Sequence, residues 1–283
     1  MTDRQLQKFP RGYSSQDLEE RKKFLKNHSE VSFDNEEEIA PESLKGIIEN
    51  QIGFMGIPMG MAGPLTVEGT YLNETSYVPL CTVEGTLVAS MARGMYATSR
   101  CSGVQTTHFH QRMTRSPIFF IENVKDQKQF IKWVRTHEKQ LSEAAESTSN
   151  YAKLISIETY QLNQYVILDF AYETGNAAGQ NMSSKATLNA CELIRSETNV
   201  NFILESNFSG DKKASGNTKL NGRGHHVVAQ TQISDQVIQK VLGTTSEKML
   251  MIQEYGPPVS SLANSNGIQL HLSNALSAIY LAT

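Results

Sequence analysis

The chain of 283 residues has three cysteines, one tryptophan, no basic surplus and no long apolar run. Each shortage excludes something. Cys81, Cys101 and Cys191 fit neither a disulfide framework nor a metal-ligand spacing, so no metal site is expected. They read as small buried apolar residues of a protein in a reducing, cytoplasmic compartment. Twenty-six basic against 29 acidic residues leave a net charge of −3, which argues against nucleic acid or anionic membrane as the main partner. No stretch approaches the roughly 20 apolar residues that cross a bilayer, and the polar start MTDRQLQK lacks the apolar core of a secretory signal. Any membrane anchor is expected outside these residues. What remains is a globular chain with 39% hydrophobic residues, long enough for two domains or for one inserted in another.

Glycine and proline, by contrast, are concentrated. The stretch ENQIGFMGIPMGMAGPL, residues 49–65, holds four glycines and two prolines and reads as fixed, multi-turn backbone. Before it, residues 1–48 are charge-rich and suggest a short helix followed by a solvated approach segment. After it, the strand-like SYVPLCTVEG leads into TLVASMARGMYATSR, whose Leu87, Val88, Met91 and Met95 follow helical spacing. Residues 116–206 then read as strand (IFFIENV), helix (DQKQFIKWVRTHEKQLSEAAES), strand (KLISIETYQL), strand (YVILDFAYE), helix (AAGQNMSSKATLNACELIRSE) and strand (NVNFILES). That order, βαββαβ, is the ferredoxin-like arrangement, and a mixed α/β (α+β) fold is expected with this module inserted in a larger domain. RNA-recognition domains share the order. Here, however, the central strand is acidic and lacks the Gly-aromatic pattern, so Phe170 and Tyr172 are expected to pack in a sheet face.

Three local patterns could carry chemistry. Glu84, in TVEG where a strand meets an apolar helix, would serve as a general acid if desolvated there, or would simply meet the positive end of the helix dipole. Asp211-Lys212-Lys213, on a Gly-flanked loop, could stabilise oxygen charge and hold an anionic tail, although a hydrated turn explains the same residues. GNAAGQNM, residues 175–182, opens a helix with two glycines and an asparagine at the cap position. Free N–H groups there suit phosphate, and capping alone would also account for them.

Together the segments resemble the catalytic region of the 3-hydroxy-3-methylglutaryl-coenzyme A reductase (HMG-CoA reductase) family. ENQIGFMGIP with MGMAGPL is similar to that family's substrate and dimer-contact segment, and TVEGTLVAS to the one bearing its catalytic glutamate. RMTRSP is similar to the segment with the substrate-binding arginine, GNAAGQNMSSKAT to the nucleotide segment Gly-Asp-Ala-Met-Gly-Met-Asn-Met, and DKKASGN to the catalytic-lysine loop. GRGHHVVAQ, VLGTT and HLSNALSAIYLAT continue in order. The resemblance implies a large reductase-type domain interrupted by a ferredoxin-like nicotinamide-binding domain. Residues 49–115 would form the first part of the large domain, 116–206 the insert, and 207–283 the lysine loop and second part.

It further implies reduction of HMG-CoA to mevalonate and coenzyme A with two NADPH, in a homodimer whose site lies between subunits. Glu84 would assist proton transfer and Lys212 stabilise the oxyanion, with Asp211 and Lys213 orienting Lys212 and the substrate carboxylate. Arg115 would anchor that carboxylate, and Asn274 would face the site, with His271 beside it in polar helix packing. Asn176, Ala177, Ala178, Gly179, Gln180, Asn181 and Met182 would line the NADPH site.

Departures are clustered. Asn176 replaces the family aspartate, Ala178 and Gln180 replace methionines, His225 replaces the lysine of Gly-Arg-Gly-Lys, Ala92 an asparagine and Ala214 a proline. The sequence stops at Leu281-Ala282-Thr283, before the segment where the family carries its catalytic aspartate and histidine. The resemblance therefore implies a chain nearly inactive alone, either part of a longer reductase or a diverged relative that binds coenzyme A or nucleotide without turnover, or that serves a specialised biosynthesis.

Overall fold

The computed structural model of the protein describes residues 10–28, 39–213, 215–263, 265 and 272–283. Ala214 and His271 lie outside them. By its internal contacts the chain divides into two compact units: Met1–Met61 with Pro79–Val88 and Ser273–Thr283, and Ala62–Val78 with Ala89–Leu272.

In the first unit, α1 (Ser15–His28) carries a fully buried arginine. Arg21 donates through Nε to the Gln51 carbonyl at 2.8 Å and through Nη1 to the Gly12 carbonyl at 2.9 Å, so the helix pins the start of the Gly/Pro-rich segment. The same unit holds the start of β1 (Met59–Gly69), the end of β2 (Asn73–Cys81), the start of α2 (Leu87–Ser99) and most of α9 (Leu272–Ala282). Val88 lies so close to Gly60 that a Cβ there would meet its methyls at 3.0 and 3.1 Å.

The second unit is built on a mixed sheet whose principal order is β2–β1–β3–β6–β4–β7, with β5 also on β6 and β8 also on β3. Here β3 is Val104–Arg115, β4 Ile118–Phe120, β5 Lys153–Leu162, β6 Tyr165–Glu173, β7 Phe202–Ile203 and β8 Gly224–Gln230. Two strands share one edge of β6. Residues 113–115 of β3 pair with 172–170, and after Ser116-Pro117 residues 118–120 of β4 pair with 167–165. On the other edge β5 pairs along its whole length, closed by a two-residue turn whose Asn163 takes φ 51°. The buried Gln127 holds that turn by donating to the Asn163 carbonyl at 2.7 Å.

The core follows from the period of two along β6. Val166, Leu168, Phe170 and Tyr172 enter one apolar cluster with Phe130 and Val134 of α3 (Val124–Thr136), Leu141 and Ala145 of α4 (Glu138–Glu146), and Ala186, Ala190 and Ile194 of α5 (Gln180–Thr198). Phe170 and Tyr172 are fully buried. The buried positions of α5 are mostly small, which lets this helix lie close to the sheet. Asp169 points to the opposite face.

Three elements differ from the sequence reading. MGMAGPL, expected within irregular backbone, lies in the strand β1. Its proline is accommodated because Ser99 Oγ donates to the Pro64 carbonyl at 3.0 Å and accepts from Thr66 N–H at 2.8 Å, doing the work of a strand partner. The helix expected over residues 126–147 is two helices, broken at His137, whose ring stacks on Trp133 at a 4.2 Å centroid separation. The strands expected from IFFIENV and NVNFILES shrink to three and two residues.

Beyond β7 come α6 (Gly216–Asn221), the short turn α7 (Asp235–Val237) running into a π-helical segment Ile238–Leu242, and α8 (Ser246–Leu262). Among the described residues no helix is long and apolar enough to cross a membrane.

Leu168 is wholly enclosed in the cluster. Leu168→Ala is expected to cost about 2–5 kcal/mol of unfolding free energy, read from urea denaturation midpoints. A loss under about 0.5 kcal/mol would show that the cluster is not the core.

Candidate active site

The first unit brings two of the candidate residues together. Asn274, on α9, donates through Nδ2 to Glu84 Oε2 at 2.6 Å, joining positions 190 residues apart. Glu84 N–H in turn donates to Thr82 Oγ1 at 2.9 Å. Thr86, two residues on, holds φ 70°, a left-handed conformation that a β-branched residue adopts only at a cost of about 1–3 kcal/mol. The burial considered for Glu84 is not seen among the described residues: Glu84 is exposed, as are Val83, Gly85 and Thr86 around it.

The second unit gathers residues from four segments around one carboxylate. Asp211 accepts through Oδ1 from Arg223 Nη2 at 2.9 Å and through Oδ2 from Arg115 Nη2 at 3.5 Å. Arg223 also donates to the Thr114 carbonyl at 3.0 Å and to its hydroxyl at 3.1 Å, fixing the guanidinium against β3. Arg115 is buried, and its Nη1 donates to Glu205 Oε2 at 2.8 Å while Nη2 also reaches the Gln180 carbonyl at 3.4 Å. Around this network the backbone turns through three left-handed residues, Asn207, Gly210 and Lys212. Gly210 is obligatory, since a Cβ there would lie 2.4 Å from the Thr218 methyl. Lys212 is exposed at φ 56°, whereas Lys213 donates its ammonium to Asn207 Oδ1. Among the described residues Lys212 has no hydrogen-bonding or ionic partner. It is therefore a cation presented on a loop whose preceding carboxylate is clamped.

The segment 175–182 begins at a tight turn. Thr174 Oγ1 donates to the Ala177 carbonyl at 2.8 Å, and Ala177 N–H returns to the Thr174 carbonyl. The cap of α5 is Gly179 (φ 84°), not the asparagine expected, because a Cβ at 179 would collide with Thr174 at 2.4 Å. Among the described residues no side chain caps the helix, and its first N–H groups have no partner. Asn176, Ala177, Ala178, Gln180 and Asn181 are exposed, while Met182 packs against the apolar cluster.

Gln111 of β3 secures this turn. Its Oε1 accepts from Thr174 N–H at 3.0 Å, which aims Nε2 at the Gly175 carbonyl (2.9 Å) and at His225 Nε2 (3.3 Å). His225 must then accept at Nε2 and donate from Nδ1 to His108 Nε2 at 3.0 Å. This chain borders a cavity of about 690 Å³ that Tyr71, Asn176 and Val227 also line.

The structure thus places Arg115 and Asp211 in contact, sets the Gln180 carbonyl against the same guanidinium, and pairs Glu84 with Asn274. Sequence reasoning passed over Glu205, Arg223 and Gln111. Only Arg223 carried a local signal, a charged residue held between two glycines.

Beneath Arg115, the fully buried Asp169 accepts from Ser116 Oγ at 2.5 Å and Arg112 Nη2 at 2.9 Å.

Comparison with solved structures defines the fold class. A class II HMG-CoA reductase from Streptococcus pneumoniae, bound to NADPH in open conformations, superposes with a TM-score of 0.66 over 84% of this chain and 56% of its own, at 16% identity. A second structure of the enzyme from that organism gives 0.66 over 94% and 71%. The fold is that of this group of mixed α/β reductases.

Sequence carries the assignment further. The model of the hydroxymethylglutaryl-coenzyme A reductase family matches residues 17–283, and the chain belongs to that family. The reductase of Methanocaldococcus jannaschii is 35% identical over 277 residues, which cover 93% of this chain and 68% of the relative. That of Haloferax volcanii is 34% identical, covering 86% and 60%. The chain spans about three-fifths to two-thirds of the length of these curated relatives.

Burial, the largest influence on Asp169, pushes its carboxyl above the ordinary aspartate range against the pull of Ser116 and then Arg112. Between the ordinary and the raised value the folded chain keeps a proton that the unfolded chain has released, so this group's contribution to stability falls as pH rises through that window. Asp169→Asn removes this slope. Relative to the unaltered chain the variant is expected to gain stability as pH rises above about 4, read from urea midpoints at stepped pH. A constant difference would contradict the assignment.

Proposed function

We propose that the protein reduces 3-hydroxy-3-methylglutaryl-CoA to mevalonate and coenzyme A, consuming two NADPH, as a reductase of the mevalonate route. One observation carries the reading. Three separately matched segments, those of Arg115, Gln180 and Asp211, meet at a single buried guanidinium, as parts of one site must.

In this reading the ammonium of Lys212 stabilises the oxygen charge that develops when hydride reaches the thioester carbonyl carbon, and Asp211, clamped by two arginines, fixes the loop that presents it. The family resemblance gives Glu84 the role of proton donor, and Asn274 fixes the carboxylate's rotamer. Collapse of the resulting hemithioacetal releases the coenzyme A thiolate and leaves an aldehyde, which a second hydride and proton convert to the alcohol. Lys213 orients the acid end of the substrate.

Residues 176–182 fit a nicotinamide dinucleotide. The start of the 19-residue α5 offers backbone N–H groups and a positive dipole end to a pyrophosphate. When bound, NADPH supplies the hydride. Residues 116–206 would form the ferredoxin-like nicotinamide module, and the working protein is a cytoplasmic homodimer with its site between subunits.

Calorimetric titration of the purified chain tests the reading: NADPH and HMG-CoA are both expected to bind. Lys212→Ala is expected to lower NADPH-dependent reduction of HMG-CoA by about 10²–10³-fold while leaving NADPH affinity intact. An unchanged rate would remove Lys212 from the chemistry.

A further inference from the structure

Arg115 has no free edge for an incoming carboxylate. A guanidinium binds carboxylates through paired N–H groups along an edge. On Arg115, Nη1 is taken by Glu205 and Nη2 is shared between Asp211 and the Gln180 carbonyl. Nε is enclosed without a partner among the described residues. Glu205 is itself held from three sides: beyond Arg115, its Oε2 accepts from Ser209 Oγ at 3.0 Å and its Oε1 from Asn207 N–H at 2.8 Å. The left-handed Asn207 folds the chain back so that its amide meets this carboxylate. The site therefore contains, covalently attached, the kind of group that the proposed substrate would bring to it.

Charge balance sharpens the point. Arg115 and Arg223 are matched by Glu205 and Asp211, so these four groups sum to zero, and the positive charge left beside them is that of the exposed Lys212 and Lys213. Were Glu205 neutral, the same cluster would carry one further uncompensated cation.

We infer that Glu205 is a specificity-determining residue: an internal carboxylate that fills the anion position on Arg115, so that acyl groups ending in a carboxylate bind only by displacing it. The inference rests on the acyl-CoA site proposed above. Glu205 touches no reacting atom; it acts through Arg115. Loss of a purely structural ion pair would change stability without changing which acyl group is preferred.

The test is calorimetric titration of the full chain with HMG-CoA and with butyryl-CoA, which has no terminal carboxylate. In the unaltered chain HMG-CoA is expected to bind less than tenfold more tightly than butyryl-CoA. Glu205→Gln, which keeps the volume and an oxygen acceptor, is expected to raise affinity for HMG-CoA by about tenfold or more and leave butyryl-CoA unchanged. Glu205→Ala should shift the ratio the same way, and thermal melts confirm that each variant folds. An unaltered chain that already favours HMG-CoA tenfold, or variants that move both ligands equally, would overturn the inference while leaving the acyl-CoA site standing. Failure of every form to bind either ligand would overturn the proposed function itself, and this inference with it.

Discussion

A single carboxylate held between two guanidinium groups organises the candidate site. Asp211 sits between Arg115 and Arg223, each with most of its side chain out of water, and removing a partner from such a cluster leaves a buried charge uncompensated. That asymmetry is what lets the cluster hold strained backbone. Lys212 adopts a left-handed conformation that a lysine leaves readily when unrestrained, and the fixed residue before it supplies the restraint. The loop thereby presents an ammonium group at low conformational cost to whatever binds there.

The strand β3 carries most of these constraints. Gln111 fixes the turn before α5, Arg112 reaches Asp169 beneath the sheet, Thr114 receives Arg223, and Arg115 reaches the loop. A strand paired with β6 at one end and β8 along much of its length is stiff, so side chains anchored on it inherit that rigidity. A shift in its register by one residue would send all four side chains to the wrong faces.

How much of this was legible depended on how local the cause was. YVILDFAYE gave β6 from end to end because its composition and the Asn163-Gln164 turn are local signals. Spacing likewise marked α2. By contrast, β1 was hidden by its glycines and Pro64, since the group that satisfies the interrupted backbone is Ser99, 35 residues away. The break between α3 and α4 lacks glycine or proline and comes from a ring stack. Within the cluster, Asp211 and Arg115 were singled out through ordered motifs, and the structure joins them. Glu205 was not, because its meaning lies wholly in an arginine 90 positions earlier, and it stood in a segment expected to be strand.

The central claim is that Asp211 and the arginines act as one unit. A double-mutant cycle between Asp211→Asn and Arg223→Met, read as unfolding free energy in urea, measures it directly. A coupling of about 1–3 kcal/mol is expected for contacting residues of one partly buried network. Additive effects, with coupling below about 0.3 kcal/mol, would contradict it and leave the loop without its restraint.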